Sequence, residues 1–124
     1  MSYRSDVGLC LTDTGKKALE AKLAALEAGT EREQIIHALL NSPSIKGKRE
    51  DQESGAIAWH WEYLKWYADY EDVSFIENFL QDLEEEDYLY IKVGEFNDDT
   101  DIRGTFWDNP FGMCLLRGIG FDNS

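Results

Sequence analysis

The sequence predicts an α+β domain in which helices pack on one face of a mainly antiparallel sheet, in the order β-α-α-β-α-β-β-β. Three observations carry that expectation. Segments of period-two alternation recur near the start, in the middle and along the last third of the chain. Between them lie stretches in which leucine, isoleucine and valine recur every three or four residues. The third observation is size. A chain of 124 residues with 43% hydrophobic and 13% aromatic side chains suits one domain, residues 1–124, and is too short for two.

Tyr3 to Leu11 places Val7, Leu9 and Leu11 on one side and Asp6, Gly8 and Cys10 between them, which predicts a first strand. Thr12-Asp13-Thr14 supplies N-caps for a helix from about Asp13 to Ala28 with a Leu19, Leu23, Leu26 stripe. Gly29, able to adopt the left-handed conformation, ends it. Thr30-Glu31-Arg32-Glu33 has the form of a capping box and opens a short helix through Ile35, Ile36, Leu39 and Leu40 that stops before Pro43. Residues 42–54 have no apolar period and predict a polar loop. Its Lys46, Lys48 and Arg49 are read first as a solvated loop and second as an anion or nucleic-acid contact.

Ile57, Trp59, Trp61, Tyr63 and Tyr67 alternate with Ala58, His60, Glu62 and Trp66, which favours a strand with an aromatic face. That face is read as core first and as a binding platform second. A helix with Ile57, Trp61 and Leu64 on one stripe is the alternative for the segment. Asp72 is the expected cap of a third helix whose stripe is Val73, Ile76, Phe79, Leu80 and Leu83. Glu84, Glu85 and Glu86 then fall at its C-terminal end, where carboxylates oppose the helix dipole at about 0.3–1 kcal/mol each. Either the helix stops earlier or the charge serves something outside the fold. The rest predicts a three-stranded meander built on Leu89–Val93, Ile102–Trp107 and Met113–Ile119. Its turns fall at Asn97-Asp98-Asp99-Thr100 and Asp108-Asn109-Pro110-Phe111-Gly112.

Charge divides sharply along the chain. Residues 1–65 hold 10 acidic and 9 basic side chains, a net of -1, while residues 66–124 hold 15 and 3, a net of -12; together these give the formal -13. Phosphate contacts need cations, and the second half offers only Lys92, Arg103 and Arg117, so direct nucleic-acid binding through that half is not expected. Such charge suits a basic protein partner, or simply solubility. Apolar runs are only a few residues long, against the ~20 needed to span a bilayer, and MSYRSDVGLC does not read as a secretory leader, so the expected location is the cytoplasm.

The motifs of chemistry are weak. Asn97-Asp98-Asp99-Thr100-Asp101 shares only its composition with a calcium loop, lacking the glycine and terminal glutamate of an EF-hand, so no metal site and no cofactor are expected. Cys10 and Cys114 are isolated and read as reduced core thiols. His60, beside Glu62, is the best candidate for a general base, yet no nucleophile motif accompanies it, and the chain is not expected to be an enzyme.

The opening MSYRSDVGLCLTDTGKKAL, the stretch KWYADYEDVSFIENFL and the ending RGTFWDNPFGMCLLRGIGFD together resemble small acidic uncharacterised phage and prophage proteins. That resemblance implies a genomic setting and no activity of its own; in that setting small acidic proteins often act by binding and inhibiting a host factor. The charge pattern points the same way. The expected function is a non-enzymatic acidic binding protein that engages a basic surface through Glu84, Glu85, Glu86, Asp87, Glu95, Asp98, Asp99, Asp101 and Asp108, with Trp107 as anchor. Two alternatives stand beside it: an assembly protein that oligomerises through Trp59, Trp61 and Tyr63, and a small enzyme centred on His60.

Overall fold

Strand β1 (Ser5–Leu11) is the centre of a five-stranded antiparallel sheet of order β2-β3-β1-β4-β5. The structure is a computed structural model that describes residues 4–41, 45–95, 99–115 and 119–121. Along the chain come α1 (Asp13–Ala24), α2 (Glu31–Leu40), β2 (Ile45–Glu50), β3 (Ile57–Leu64), α3 (Glu71–Gln81), β4 (Tyr88–Val93) and β5 (Thr100–Gly104). A separate hairpin, β6 (Met113–Leu115) with β7 (Ile119–Phe121), follows. The fold is the expected α+β class with an antiparallel sheet.

Both faces of the sheet are covered, which is why β1 is buried at nearly every position. Val7, Leu9 and Leu11 pair in register with residues that bring Trp59, Trp61, Tyr88 and Tyr90 to the same side, where the helices add Leu19, Ile36, Ile76 and Phe79. Cys10, Ala58, Leu89 and Ile91 point the other way and meet Phe111 and Met113. Each fully buried large apolar side chain in these layers contributes about 1.5–3 kcal/mol.

The aromatic density of β3 has a specific use. The indoles of Trp59 and Trp61 stack at 6.0 Å with planes 6° apart. Trp59 Nε1 donates to the Leu40 carbonyl at 3.2 Å and Trp61 Nε1 to the Leu39 carbonyl at 3.0 Å. The Leu40 carbonyl at the end of α2 thereby gains a donor inside the core, and the Leu39 carbonyl gains a second beside its cap N–H. At the other end of α2, Thr30 Oγ1 accepts from Glu33 N at 3.2 Å, as a capping box requires, while Glu33 Oε1 accepts from Gly29 N at 3.0 Å.

Several boundaries differ from expectation, each for a physical reason. The polar loop expected at 42–54 contains strand β2, which pairs with β3 from Ile45 to Glu50. An edge strand needs few apolar side chains, and its Lys46, Lys48 and Glu50 are exposed, so no apolar alternation marked it. Helix α1 ends at Ala24, short of Gly29, with Ala25 as its C-cap. Tyr70 holds the N-cap position of α3, and Asp72 lies in its first turn. The helix closes at Gln81 as Asp82 N and Leu83 N take i−3 carbonyls, so Glu84–Glu86 lie beyond it and not in its last turn. The third meander strand joins the separate β6–β7 hairpin and not the large sheet. Ser42, Pro43, Asn97 and Arg117 lie outside the described residues.

Candidate functional site

The acidic turn after α3 is tied to two distant parts of the chain by main-chain hydrogen bonds. Glu85–Asp87 forms one turn of 3-10 helix. Thr105 N donates to Glu85 O at 2.8 Å and Phe106 N donates to Tyr88 O at 3.1 Å, so the chain leaving β5 runs alongside the turn. Thr12 N donates to Asp87 O at 3.0 Å, and Thr12 Oγ1 donates to Asp87 Oδ1 at 3.0 Å. The start of α1, the acidic turn and the segment that follows β5 therefore meet at one end of the sheet.

A cleft of about 550 Å³ opens at this junction, lined by Asp13, Asp87 and Asp108 together with Ser54, Phe106 and Pro110. Asp108 and the three residues just before Asp87 in the chain, Glu84, Glu85 and Glu86, are exposed. Trp107 leaves 48% of its surface in solvent, unlike the other three tryptophans, which are buried. Burial first, and then the neighbouring Glu85 carboxylate, push the Tyr88 phenol above its ordinary range, with Arg103 opposing. The Asp13 carboxylate holds Lys17 Nζ at 2.9 Å, which lowers its pKa.

The ten expected site residues are divided by the fold. Asp87 and Asp108 line the cleft, and Glu84, Glu85, Glu86 and Trp107 are their neighbours in the chain. Glu95 and Asp99 lie past the far end of β4, whose six residues span roughly 20 Å at strand rise. There Glu95 Oε1 accepts from Arg4 N at 3.2 Å. Asp101 grips Arg103 with both oxygens, Oδ1 to Nε at 3.3 Å and Oδ2 to a terminal nitrogen at 2.7 Å, so its charge is locally neutralised. Asp98 lies outside the described residues. Expecting one continuous acidic face was thus too broad: alternation along a hairpin says nothing about which end of it each charge occupies. Asp13 was missed, and its only signal was membership of the Thr12-Asp13-Thr14 cap cluster, 74 positions before Asp87 in the chain.

Arg103 also reaches inward. Its guanidinium lies 5.2 Å from the Tyr90 ring centroid and 4.0 Å from Glu77 Oε1. Glu77 Oε2 accepts from Tyr90 Oη at 3.1 Å and from Trp66 Nε1 at 3.3 Å. This chain of polar contacts satisfies two buried donors beneath α3 and fixes β5 against the core.

Two other expected sites take different roles. Trp59 and Trp61 are 3% and 0% exposed, which corrects the aromatic oligomer face; of that trio only Tyr63 faces solvent. His60 is 4% exposed and sits in register between Gly8 and Gly47, inside the sheet and away from the acidic cleft. Burial pushes its pKa down, with Lys46 adding to the effect and Asp6 and Glu62 opposing it. A histidine that stays neutral when folded contributes stability in full above its unfolded pKa of about 6.5, and that contribution is lost as pH falls through the lower folded value. Urea midpoints measured from pH 8 to pH 5 should therefore decline below about pH 6.5, and His60→Gln should flatten the decline. An identical decline in the variant would remove His60 as its source.

Among the described residues no group of three or more His, Cys, Asp or Glu side chains is arranged to hold a metal ion, and no helix is long and apolar enough to cross a membrane. Neither Cys10 nor Cys114 is in a disulfide, and burial pushes the Cys10 thiol up to about 12. Compared with protein-family models, curated protein sequences and solved structures, the chain finds no match.

Proposed function

We propose that this is a non-enzymatic acidic binding protein that acts in the cytoplasm by capturing a basic protein surface at the Glu84–Asp87 end of the sheet. The observation that carries the reading is the meeting of Asp87 and Asp108 in one cleft, with exposed Glu84, Glu85 and Glu86 just before the first in the chain and half-exposed Trp107 just before the second. Carboxylates in one field accelerate encounter with a basic partner, and a tryptophan beside them supplies the apolar contact that fixes the complex. In the phage setting implied by the resemblance, such a surface would act by occupying the basic cleft of a host factor.

Salt and charge reversal test this together. Immobilised wild-type protein should capture a basic partner from host extract at low ionic strength and release it as salt rises, because counter-charges screen exposed groups within about 10 Å at 0.1 M. The variant Glu84→Lys, Glu85→Lys, Glu86→Lys changes only exposed side chains and should lose capture while keeping its melting profile. Capture that resists salt, or that survives the triple reversal, would contradict the proposal.

A further inference from the structure

A second concavity lies on the helix-covered side of the sheet, where α1 and the end of α2 lean over β2 and β3, and it shares no lining residue with the acidic cleft. Its volume of about 260 Å³ falls just below the range of drug-sized ligand clefts, about 300 to 1,000 Å³, and suits a smaller molecule. The floor is apolar, formed by Leu19, Leu23, Leu40, Ile57 and Trp59. Four of these belong to the core and turn their remaining surface to the groove.

The walls carry charge of both signs. On α1, Lys16 and Glu20 are four residues apart, about 6 Å along the axis. On β2, Lys48 and Glu50 are two residues apart on the same side of the strand, about 7 Å. Each wall therefore offers one cation and one anion at similar spacing. Other lysines find carboxylates: Lys17 with Asp13 at 2.9 Å, Lys46 with Glu62 at 2.8 Å and Lys22 with Asp82 at 3.5 Å. Among the described residues, Lys16, Glu20, Lys48 and Glu50 form no ion pair. The Lys48 ammonium instead lies 5.9 Å from the Trp59 ring centroid, above the apolar floor.

A purely anionic ligand entering this groove meets Glu20 and Glu50, and a purely cationic one meets Lys16 and Lys48; each is penalised by like charge. A small zwitterion with an apolar body satisfies both signs and covers the floor. We propose that the groove binds a free apolar α-amino acid, its carboxylate toward the lysines, its ammonium toward the glutamates and its side chain on Trp59 and Leu40. This site is independent of the protein-binding end.

The test is a titration of isotopically labelled protein, followed by backbone amide shifts, with leucine and phenylalanine and with their N-acetyl and C-amide forms. Saturable shifts confined to the amides of α1, the end of α2 and β2 are expected with the free amino acids. Affinity should fall at least about tenfold when either charge is blocked. Lys48→Ala and Glu50→Ala alter exposed side chains and should each weaken binding while leaving the rest of the spectrum in place. No saturable shift up to about 10 mM, a scale that covers even weak sites, would overturn the assignment. So would equal binding of the blocked forms, unchanged affinity in both variants, or tighter binding of leucyl-glycine than of leucine.

Discussion

Replacing Gly104 by alanine is expected to destabilise the protein by more than about 3 kcal/mol, while the same change at Gly29 should cost only about 1 kcal/mol. Both glycines hold positive φ, 83° and 82°. At Gly29 an added Cβ meets nothing within 4 Å, so the backbone conformation alone is penalised. At Gly104 the Cβ would lie 2.8 Å from the carbonyl carbon of Tyr88 and closer still to its oxygen. That oxygen accepts the Phe106 N–H at 3.1 Å, and the strand carrying it is clamped between β1 and β5. It has nowhere to retreat without breaking the bond that brings Trp107 and Asp108 to the acidic turn. Urea denaturation of the two variants measures the contrast. Equal losses would show that the chain leaving β5 yields, and that the cleft is not held rigidly.

Trp61→Ala should cost on the order of 4 kcal/mol, from the range of roughly 3–5 kcal/mol for emptying a buried aromatic site. The side chain has no exposed surface, stacks on Trp59, and packs against Trp66 with ring centroids 5.4 Å apart. Its loss also strips the Leu39 carbonyl of a donor inside the core. Against a typical total of about 5–15 kcal/mol, that loss takes much of the stability, and a fall in Tm of roughly 10–20 °C follows for a chain of this length. Trp61→Phe separates the two contributions. It keeps most of the ring and removes only the N–H, so about 0.5–1.5 kcal/mol should be lost, the net worth of one hydrogen bond, since a cap backbone N–H still donates to the Leu39 carbonyl. A Trp61→Ala melt within a few degrees of wild type would mean that α2 does not depend on this contact.

The sequence displayed the class of the fold because its strongest elements obey simple periods. Leu9 and Leu11, Leu89 and Ile91, and the Val73–Leu80 stripe each repeat at the spacing of the structure they form. Strand β2 escaped because IKGKRE is a solvated edge whose pairing is made by the backbone, and backbone bonds leave no mark on composition. The indole bonds of Trp59 and Trp61 to α2 escaped for a related reason: alternation shows which way a side chain points, and says nothing of what waits there. The site was half legible. Contiguous Glu84–Asp87 stayed together because sequence neighbours must, and Trp107 and Asp108 joined them through the turn at Gly104. Glu95 and Asp99 were separated by the length of a strand, and Asp101 by its own arginine.

The placement of the four tryptophans gives the protein two separate optical channels. Trp59, Trp61 and Trp66 lie close together in the core, so their ultraviolet circular dichroism and shielded emission report whether the tertiary structure is intact. Trp107, alone and half in solvent beside the carboxylates, is the indole open to collisional quenchers. Shielding of that one fluorophore, with the dichroism unchanged, would distinguish occupation of the acidic end from loss of structure without any attached dye.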